Sequence, residues 1–504
     1  MNGIALTGRR LSVAMTTGLA ARLAAHLDRS DSREDLCFVL WRPSTGATRT
    51  TAVVADVIWP ADGERLVHGN ASFTSGYFLR VAAQAAETGA GLGLIHSHPG
   101  GYGWQDLSRD DHLAEASHAA QAIVLTGQPL LGMTYATGDT RYSARLWDRT
   151  GPRQYAPIWC ENVRLVGDRI QISWNNRLRP VPRFRPLQDR TVSAWGLAIQ
   201  ANLARLHIGI IGAGSVGALI AEALARVGIE WITLLDFDTV EAVNLDRLLH
   251  ASPRDVRLAR AKVDVLARAL RRSATAEHPR IEALDLSVVE PDGLAAALDC
   301  DVLFSCVDRP WPRAVLNLAA YAHLVPVVDG GILIRGRRGD RLMGAEWRAH
   351  LAAPGRACME CIGQYDPALV QVERTGMLDD PSYLADLGED HPLRRNENVF
   401  PFSAATAASE TLQLLTAVIA PSGIGDVGSH LYHFTTGTLD RGTDGCRPEC
   451  PYSHGLLALG DTQPFEITGQ HRAAETAHAA RRRVQNRLTT RLARALDDLL
   501  WWLL

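Results

Sequence analysis

Lys262 is the only lysine in a chain of 504 residues, and arginine supplies the rest of its 52 basic side chains. Codon bias in a GC-rich genome explains the general use of arginine. Lysine is a compact point charge on a flexible stem and suits a moving phosphate oxygen, whereas arginine is a planar fork. Because Lys262 follows a glycine-rich segment, we expect this one lysine to bind phosphate.

The glycine-rich segment before Lys262 reads HIGIIGAGSVGALIAEALARVGIEWITLLD. Two apolar runs, Ile208–Ile211 and Trp231–Leu235, predict buried strands, and the residues Ala218–Arg226 predict a helix between them. The segment is therefore predicted to form a βαβ unit. Its second strand ends at Asp236, whose carboxylate can accept hydrogen bonds from ribose hydroxyls.

Three glycines in this unit, Gly212, Gly214 and Gly217, fit the pattern GxGxxG. Glycine lets the backbone come close to a phosphate, and the N-terminus of the following helix favours an anion. The pattern alone would suggest a nicotinamide or flavin enzyme. Dehydrogenases, however, need no cluster of Asn244, Arg247 and the lysine beyond the ribose site. A triphosphate does need one, since an adenylation reaction must hold the leaving pyrophosphate.

The string DFDTVEAVNLDR after GAGSVG resembles the ThiF/MoeB/ubiquitin-activating enzyme superfamily, over about residues 186–450. The resemblance implies a Rossmann-like, doubly wound α/β domain that binds ATP and Mg²⁺. The ATP-binding residues that it implies are Gly212, Gly214, Gly217, Asp236, Asn244, Arg247, Lys262 and Asp308.

The same resemblance implies a role for each polar residue of that set. Asp236 would bind ribose, and the triphosphate would be held by Asn244, Arg247 and Lys262. Asp308, in the tetrad SCVD, would bind Mg²⁺ near the reacting carboxylate; the alternative is a turn residue. Arg190, in QDRTVSAWG, would reach the phosphates across the interface of a homodimer; the alternative is a surface cation.

Four cysteines form two pairs, CxxC at Cys358 and Cys361 and CxxxC at Cys446 and Cys450. Residues 9–27 predict an amphipathic helix rather than a secretion signal, so disulfides are not expected. Four thiolates suit a closed, tetrahedral structural Zn²⁺, and the superfamily often carries such a site at this place. Four unligated thiols are the alternative.

The loop between the two cysteine pairs is where many activating enzymes of this superfamily carry a nucleophilic cysteine. Residues 362–445 contain no cysteine. The remaining cysteines lie in or next to apolar runs and are predicted to be core residues: Cys37, Cys160, Cys300 and Cys306. We therefore expect adenylation without a thioester on this domain, with transfer to a partner's cysteine or another nucleophile.

A second group of chemically active residues lies near the amino terminus. His96 and His98 end an apolar stretch, and on an extended segment their side chains project to the same side. Ser108 is predicted to cap a helix whose first turn contains Asp111. Two imidazoles and one carboxylate leave one position of a zinc ion open for water, as hydrolytic zinc requires.

This HxH…SxxD pattern resembles the JAB/JAMM (MPN) metalloprotease family, whose members remove ubiquitin-like proteins from amide linkages. The implied zinc ligands are His96, His98 and Asp111. Because the gap before Ser108 is longer than usual in the family, Asp110 is the alternative ligand. Glu34, just before a strand-like run, would be the general base, and Glu64 fits that role less well. Ser108 would help to stabilise the oxyanion. The alternative is a JAB fold kept for binding alone.

Four parts are expected in this α/β chain, in which 46% of the residues are apolar. A JAB/MPN-like domain would occupy residues 1–150. Residues 151–186 would be a connector, a candidate docking element with a hairpin between Val163 and Trp174. The adenylation domain with its structural zinc would occupy residues 187–450, and a helical tail residues 451–504.

The net charge of −3 gives no reason to expect nucleic acid or a membrane as partner. We expect a cytoplasmic homodimer whose partner is a ubiquitin-like or sulfur-carrier protein, with a conjugating-enzyme-like protein as a further candidate. One chain would carry two activities, a zinc-dependent isopeptidase or peptidase and a MgATP-dependent adenylyltransferase, both acting at the carrier's C-terminus.

Three alternatives remain open from the sequence. The first is activation of a sulfur carrier for cofactor or cysteine synthesis, which has the same chemistry up to the adenylate. The second is direct adenylation of a peptide. The third is a non-enzymatic scaffold in which both sites have decayed.

Overall fold

The computed structural model describes residues 6–67, 70–386, 398–419 and 427–503. Two sheets organise these residues, and a pair of helices forms the carboxyl-terminal end. In the described helices, no segment combines the length and the apolar character needed to cross a bilayer.

The first unit is built on a mixed sheet that has nine strands within the described residues, in the order β11-β10-β1-β3-β2-β6-β7-β8-β9. Its strands and a separate small hairpin, β4–β5, are β1 (Arg10–Thr16), β2 (Leu36–Thr45), β3 (Arg49–Ile58), β4 (Arg65–Val67), β5 (Ala71–Phe73), β6 (Gly91–His98), β7 (Leu130–Ala136), β8 (Arg141–Gly151), β9 (Gln154–Trp159), β10 (Asn162–Val166) and β11 (Ile170–Trp174). Its helices are α1 (Thr17–Leu27), α2 (Ser75–Glu87) and α3 (Arg109–Thr126).

Both faces of this sheet are covered, because successive residues of a strand point to opposite sides. In β2, Cys37 and Val39 pack with α1 on one face. Phe38 and Leu40 pack with α2 and α3 on the other face. The result is a three-layer α/β unit.

Two expectations for the first unit need correction. Residues 9–27 do not form one helix, because Arg10–Thr16 is strand β1, parallel to and between β3 and β10. The boundary expected at residue 150 falls inside β8. The predicted hairpin between Val163 and Trp174 exists as β10 and β11, but its pairing with β1 makes it part of the main sheet.

The second unit is a doubly wound sheet in the order β14-β13-β12-β15-β16-β19-β20-β21. Its strands, with a small hairpin, β17–β18, are β12 (His207–Ile211), β13 (Trp231–Leu235), β14 (Arg280–Leu284), β15 (Val302–Ser305), β16 (Val327–Ile334), β17 (Arg337–Arg338), β18 (Arg341–Leu342), β19 (Ala345–Ala352), β20 (Ser429–His433) and β21 (Thr438–Gly442). Its helices are α4 (Asp189–Trp195), α5 (Leu197–Ala204), α6 (Ser215–Val227), α7 (Pro253–Arg257), α8 (Lys262–Ser273), α9 (Pro291–Leu298), α10 (Pro310–Ala322), α11 (Pro367–Arg374), α12 (Pro381–Asp386), α13 (Phe400–Ile419) and α14 (Pro451–His454).

The predicted βαβ unit is confirmed as β12, α6 and β13. Strands β12 to β16 are parallel, and β19 to β21 continue the sheet antiparallel. Helices α6, α8 and α13 pack on one face, and α9 and α10 on the other. Cys37, Cys160 and Cys300 are buried, as their apolar surroundings predicted, and Cys306 is half-buried.

The carboxyl-terminal tail forms two helices, α15 (Arg472–Gln485) and α16 (Leu488–Leu503), where the sequence predicted one long helix. The helices are separated at Asn486 and Arg487. Both contact the second unit: Gln485 Nε2 donates to the carbonyl oxygen of Ala259 at 2.6 Å. In α16, Asp497 accepts from the buried Arg260 at 2.6 Å.

Candidate functional site

A cleft of about 1140 Å³ opens at the carboxyl ends of β12, β13, β15 and β16. In open α/β sheets, ligands bind at this edge, where the strand order reverses, here between β12 and β15. Seven of the predicted ATP-binding residues line the cleft: Gly212, Gly214, Asp236, Asn244, Arg247, Lys262 and Asp308. The fold therefore brings together residues that lie up to about a hundred positions apart in the sequence.

The turn between β12 and α6 lies at the centre of the cleft. Gly212 has a φ of +100°, and a Cβ there would lie 2.5 Å from the carbonyl oxygen of Cys306, so only glycine fits. Gly214 precedes α6, and a Cβ on it would meet no atom within 4 Å. The backbone at Gly214 is thus open to the cleft at the N-terminus of a 13-residue helix, which is a favourable place for an anion.

Gly217 was predicted to bind nucleotide, but the structure gives it a different role. It is buried in α6 and does not line the cleft. A Cβ at Gly217 would lie 1.9 Å from the carbonyl oxygen of Gly212. Gly217 therefore lets the helix pack against the turn, which positions Gly212 and Gly214 without contacting a ligand itself.

Asp236, at the end of β13, faces the turn. One of its carboxylate oxygens accepts from the backbone N–H of Ala213 and the other from that of Asp238, both at 2.7 Å. Burial, with the nearby charge of Asp238, raises the pKa of Asp236 to about 6, although Lys262 acts in the opposite direction. These two backbone bonds fix the position of the carboxylate in the cleft.

Lys262 begins α8 and reaches into the cleft. Its Nζ donates to Asp238 Oδ2 at 2.7 Å, and its backbone N–H donates to the carbonyl oxygen of Asp238 at 3.0 Å. Burial would lower the pKa of Lys262, but Asp236 and Asp238 outweigh it and raise the pKa. The side chain therefore carries its charge in the cleft at neutral pH, as phosphate binding requires.

Asn244 and Arg247 lie in a short turn beside α6. Ser215 Oγ donates to the carbonyl oxygen of Arg247 at 2.8 Å, which ties this turn to the start of α6. Asn244 Oδ1 accepts from the backbone of Glu241 at 3.1 Å. Arg247 donates to the carbonyl oxygen of Val243 at 2.6 Å. The cation thus lies near the glycine turn, where a triphosphate would extend.

Asp308 and Arg190 differ in placement. Asp308 follows β15, is exposed to the cleft, and lies near enough to Lys262 to contribute to its raised pKa. Arg190 is exposed on α4 and does not line the cleft of its own chain. Its predicted contact across a dimer interface stays a prediction.

Sequence reasoning missed a buried group of charges that lies farther along the same cleft. Arg313 in α10 lies 3.5 Å from Asp329, and it donates to the carbonyl oxygen of Gly330 at 3.0 Å. Glu410 in α13 is 1% exposed, and burial together with Asp329 raises its pKa well above the ordinary value. The sequence does contain a signal for this group, since Arg313 and Glu410 are charged residues inside otherwise apolar helices.

The four predicted structural zinc ligands meet at one place. The Sγ atoms of Cys358, Cys361, Cys446 and Cys450 all lie within 4.8 Å of one another. Backbone N–H groups point at three of these sulfurs, for example that of Cys358 at Cys446 Sγ, 3.1 Å away. Such N–H···S contacts stabilise thiolates, so the site fits a tetrahedral Zn²⁺.

The amino-terminal ligand set also converges. His96, His98 and Asp111 offer ligand atoms within 4.8 Å of one another. The Nε2 atoms of His96 and His98 are 3.2 Å apart. They lie 3.6 and 3.5 Å from the carboxylate oxygens of Asp111. The alternative ligand Asp110 is exposed and lies outside this group.

Gln105, which the sequence analysis did not identify, orients one of these histidines. Its Nε2 donates to the carbonyl oxygen of Tyr102 at 2.7 Å, so its Oε1 faces His98 Nδ1 at 3.2 Å. This contact favours the tautomer with the proton on Nδ1 of His98, in which the lone pair of Nε2 is free for a metal ion. Metal-ligating histidines commonly have such an outer partner, so the residues present fit a zinc ion.

The two other residues predicted for this site have clear surroundings. Glu34 lies two residues before β2, and its charge helps to raise the pKa of His98, after the larger effect of Asp111. Ser108 Oγ accepts from the backbone N–H of Asp111 at 3.1 Å and thereby caps α3. Glu64 pairs with Arg80 instead, at 3.0 Å. Ser108 thus positions a ligand; an oxyanion role for it stays a prediction.

Residues 188–436 match the ThiF family. The chain is 35% identical over 143 residues to the tRNA threonylcarbamoyladenosine dehydratase of Escherichia coli (strain K12), covering 28% of this chain and 52% of that protein. It is 34% identical over 127 residues to the molybdopterin-synthase adenylyltransferase of the same organism, covering 25% and 48%.

A more distant relative is the ubiquitin-like modifier-activating enzyme 5 of Drosophila persimilis, 29% identical over 182 residues, covering 34% of this chain and 42% of that protein. The chain spans about half the length of these curated relatives. Among solved structures, E. coli MccB with ATP is 18% identical, with a TM-score of 0.41, covering 53% of this chain and 74% of that chain.

The family match coincides with the unit that carries the glycine turn, Asp236, Lys262 and the cleft. Residues 188–436 of this chain are therefore identified as a ThiF-family domain.

Proposed function

We propose that this chain uses MgATP to adenylate the C-terminal carboxylate of a ubiquitin-like or sulfur-carrier protein. The observation that supports the proposal is the cleft, in which the glycine turn, the Asp236 carboxylate and the cations Arg247 and Lys262 lie together. In this reaction a carboxylate oxygen forms a bond to the α-phosphorus of ATP. The bond from that phosphorus to the bridging oxygen breaks, and pyrophosphate leaves.

Each side chain of the cleft has one task in that reaction. Asp236 binds the ribose, the backbone at Gly214 faces the phosphates, and Lys262 and Arg247 stabilise the charge of the departing pyrophosphate. Asp308 would hold Mg²⁺, whose contribution is to neutralise phosphate charge near the reacting carboxylate. Since residues 362–445 contain no cysteine, the adenylate passes to an acceptor outside this domain.

ATP–pyrophosphate exchange tests this proposal. We expect exchange to depend on a ubiquitin-like protein of the same organism and to be lost in Lys262→Ala and Asp308→Ala. Arg226→Ala is the control, because Arg226 is an exposed cation on α6 that pairs with Glu222. No exchange with any ubiquitin-like or sulfur-carrier protein would contradict the proposal. Exchange supported only by a short peptide would favour peptide adenylation.

We also propose a second activity, zinc-dependent amide hydrolysis in the first unit, of the kind performed by JAB/JAMM metalloproteases. His96, His98 and Asp111 would hold the ion, which supplies a polarised water for hydrolysis. Glu34, next to this group, would accept the proton from that water. Hydrolysis would expose or release the same carrier C-terminus that the second unit adenylates, in a homodimer to which Arg190 contributes in trans.

Zinc analysis tests the metal-binding part of this proposal. We expect two zinc ions per chain, one at the four cysteines and one at the histidines. His98→Ala should retain one, whereas His112→Ala, a change in the same helix as Asp111 but outside the ligand set, should retain both. Equal zinc content in His98→Ala and the wild type would refute the second site.

A further inference from the structure

The carboxyl-terminal tail crosses the edge of the nucleotide cleft. Trp311 Nε1 donates to the carbonyl oxygen of Ile467 at 2.7 Å, and the backbone N–H of Gly469 donates to the carbonyl oxygen of Val289 at 2.8 Å. Beyond this point His471, Ala473 and Ala477 line the cleft. The tail is therefore one wall of the cleft.

His471 is the polar group of that wall. It is 3% exposed, and its Nδ1 lies 2.8 Å from Ser287 Oγ, in the loop after β14. Its Nε2 is buried and has no hydrogen-bond partner within the described part of the chain. A buried polar atom without a partner costs free energy. Because His471 is one of the residues that line the cleft, a ligand bound there is the partner that would satisfy Nε2.

The surroundings of His471 identify the part of the ligand that it meets. Its ring contacts Phe237 edge-to-face, with centroids 4.9 Å apart, and Phe237 directly follows the ribose-binding Asp236. Leu286 and Val288 line the cleft beside it. The glycine turn and the cations that would take the phosphates are contributed by other loops. Apolar walls with one polar contact suit a nucleoside.

The protonation state of the ring agrees with this placement. Burial lowers the pKa of His471 to about 4, so the imidazole is neutral at physiological pH. A neutral imidazole has one N–H and one lone pair. With Nδ1 engaged by Ser287, Nε2 can make one hydrogen bond to a base or to a ribose hydroxyl.

We propose that His471 is a nucleotide-binding residue, whose Nε2 hydrogen-bonds to the nucleoside of ATP, and that the tail is thereby part of the nucleotide site. This inference rests on the proposed ATP binding. Tail docking and nucleotide binding then stabilise each other, since each provides one side of the same contact.

Calorimetric titration of the full-length protein with ATP, AMP and inorganic tripolyphosphate tests the inference. In His471→Ala the dissociation constants for ATP and AMP should rise by about 3- to 10-fold, the equivalent of one lost hydrogen bond. Affinity for tripolyphosphate should not change, because this ligand lacks the nucleoside. His478→Ala is the matched control, a histidine two turns further along α15 that pairs with Asp285 at 2.8 Å, outside the cleft.

The outcomes separate the inference from the function that it rests on. Unchanged ATP affinity in His471→Ala, or an equal loss for tripolyphosphate, would overturn the inference. A wild-type protein that binds no ATP would overturn the proposed function, and the inference with it. If thermal unfolding shows that His471→Ala is unfolded, His471→Phe, which fills the space with an aromatic ring that has no nitrogen, is read by the same criteria.

Discussion

At the scale of single residues, the cleft is a balance of charges held ready for an anionic ligand. Lys262 is paired with Asp238 and lies near Asp236 and Asp308. A triphosphate would add negative charge here and take over the ammonium group from Asp238. The flexible stem of lysine allows such a change of partner.

The identity of this cation gives a prediction. Lys262→Arg keeps the charge but replaces a mobile point charge by a rigid fork, so we expect only partial pyrophosphate exchange. Lys262→Ala should reduce exchange by about 100-fold or more, as for other groups that stabilise transition-state charge. Exchange rates at saturating ATP measure both. Full activity of Lys262→Arg would show that only net charge matters at this position.

At the scale of elements, two helix starts position the two sites. Helix α6 packs its Gly217 against the carbonyl oxygen of Gly212, and this contact positions the turn that lines the cleft. Helix α3 begins with a capping box between Ser108 and Asp111, which brings the Asp111 carboxylate to the two histidines. In both cases a backbone feature of a helix terminus places a group that would contact the ligand.

Replacing Gly217 and Gly214 by alanine, one at a time, distinguishes a packing role from a binding role at the start of α6. Gly217→Ala puts a methyl group against a backbone oxygen that cannot move away easily, so we expect unfolding free energy to fall by about 1–3 kcal/mol. Gly214→Ala, where a Cβ meets no protein atom within 4 Å, should leave stability nearly unchanged and weaken ATP binding. Denaturant unfolding and ATP titration distinguish the two variants. Equal losses of stability in both would refute the assignment of packing to Gly217 and binding to Gly214.

The cap of α3 gives a second test at this scale. Ser108→Ala removes the acceptor for the backbone N–H of Asp111 and should cost about 1 kcal/mol of stability. Zinc affinity should fall as well, because Asp111 loses its fixed position. Ser117→Ala, an exposed serine in the middle of the same helix, is the control. Competition with a chelator measures the affinity, and unchanged zinc binding in Ser108→Ala would contradict this role.

At the scale of the whole molecule, a buried ion group joins the two units. Arg49 of β3 donates to Asp301, just before β15, at 2.6 Å, and Arg164 of β10 lies 3.8 Å from the same carboxylate. The neighbouring Asp299 accepts from the backbone of Arg49 at 2.8 Å. Although burial acts in the opposite direction, the two arginines hold the pKa of Asp301 well below its usual range. Buried ion pairs and hydrogen bonds therefore connect the two units.

This group predicts a pH dependence of stability. Because the folded-state pKa of Asp301 lies below its ordinary value of 3.8, its stabilising contribution is complete above that pH. The contribution is lost progressively as the pH falls from this value toward the lower folded-state pKa. Asp301→Asn should lower the unfolding free energy by about 3–5 kcal/mol at neutral pH, since it leaves buried arginines unpaired. The difference from wild type should shrink toward about pH 3.

Denaturant unfolding at several pH values measures this difference. Asp292→Asn, an exposed carboxylate on α9, is the control and should change little. A constant difference between wild type and Asp301→Asn across the acid range would contradict the assignment.

Local patterns in the sequence determined the elements that carry the chemistry. Apolar periodicity and the three glycines defined β12, α6 and β13, and the spacing of histidines and cysteines defined two groups of ligands that the structure brings together. These features depend on neighbours a few residues apart, so the sequence alone displays them. The same reasoning predicted the βαβ unit and the placement of Asp236 and Lys262 in one cleft.

Tertiary structure alone decided which distant segments meet. The local sequence pattern predicted a helix at Arg10–Thr16. The segment is a strand instead, because pairing with β3 and β10 outweighs the local preference. Nothing in the sequence shows that Arg313 comes to lie beside Asp329. Nor does the sequence show that His471 lines the cleft, from a tail more than two hundred residues beyond the glycine turn. Such contacts arise from packing between whole elements, whose free energy depends on surfaces that local sequence does not encode.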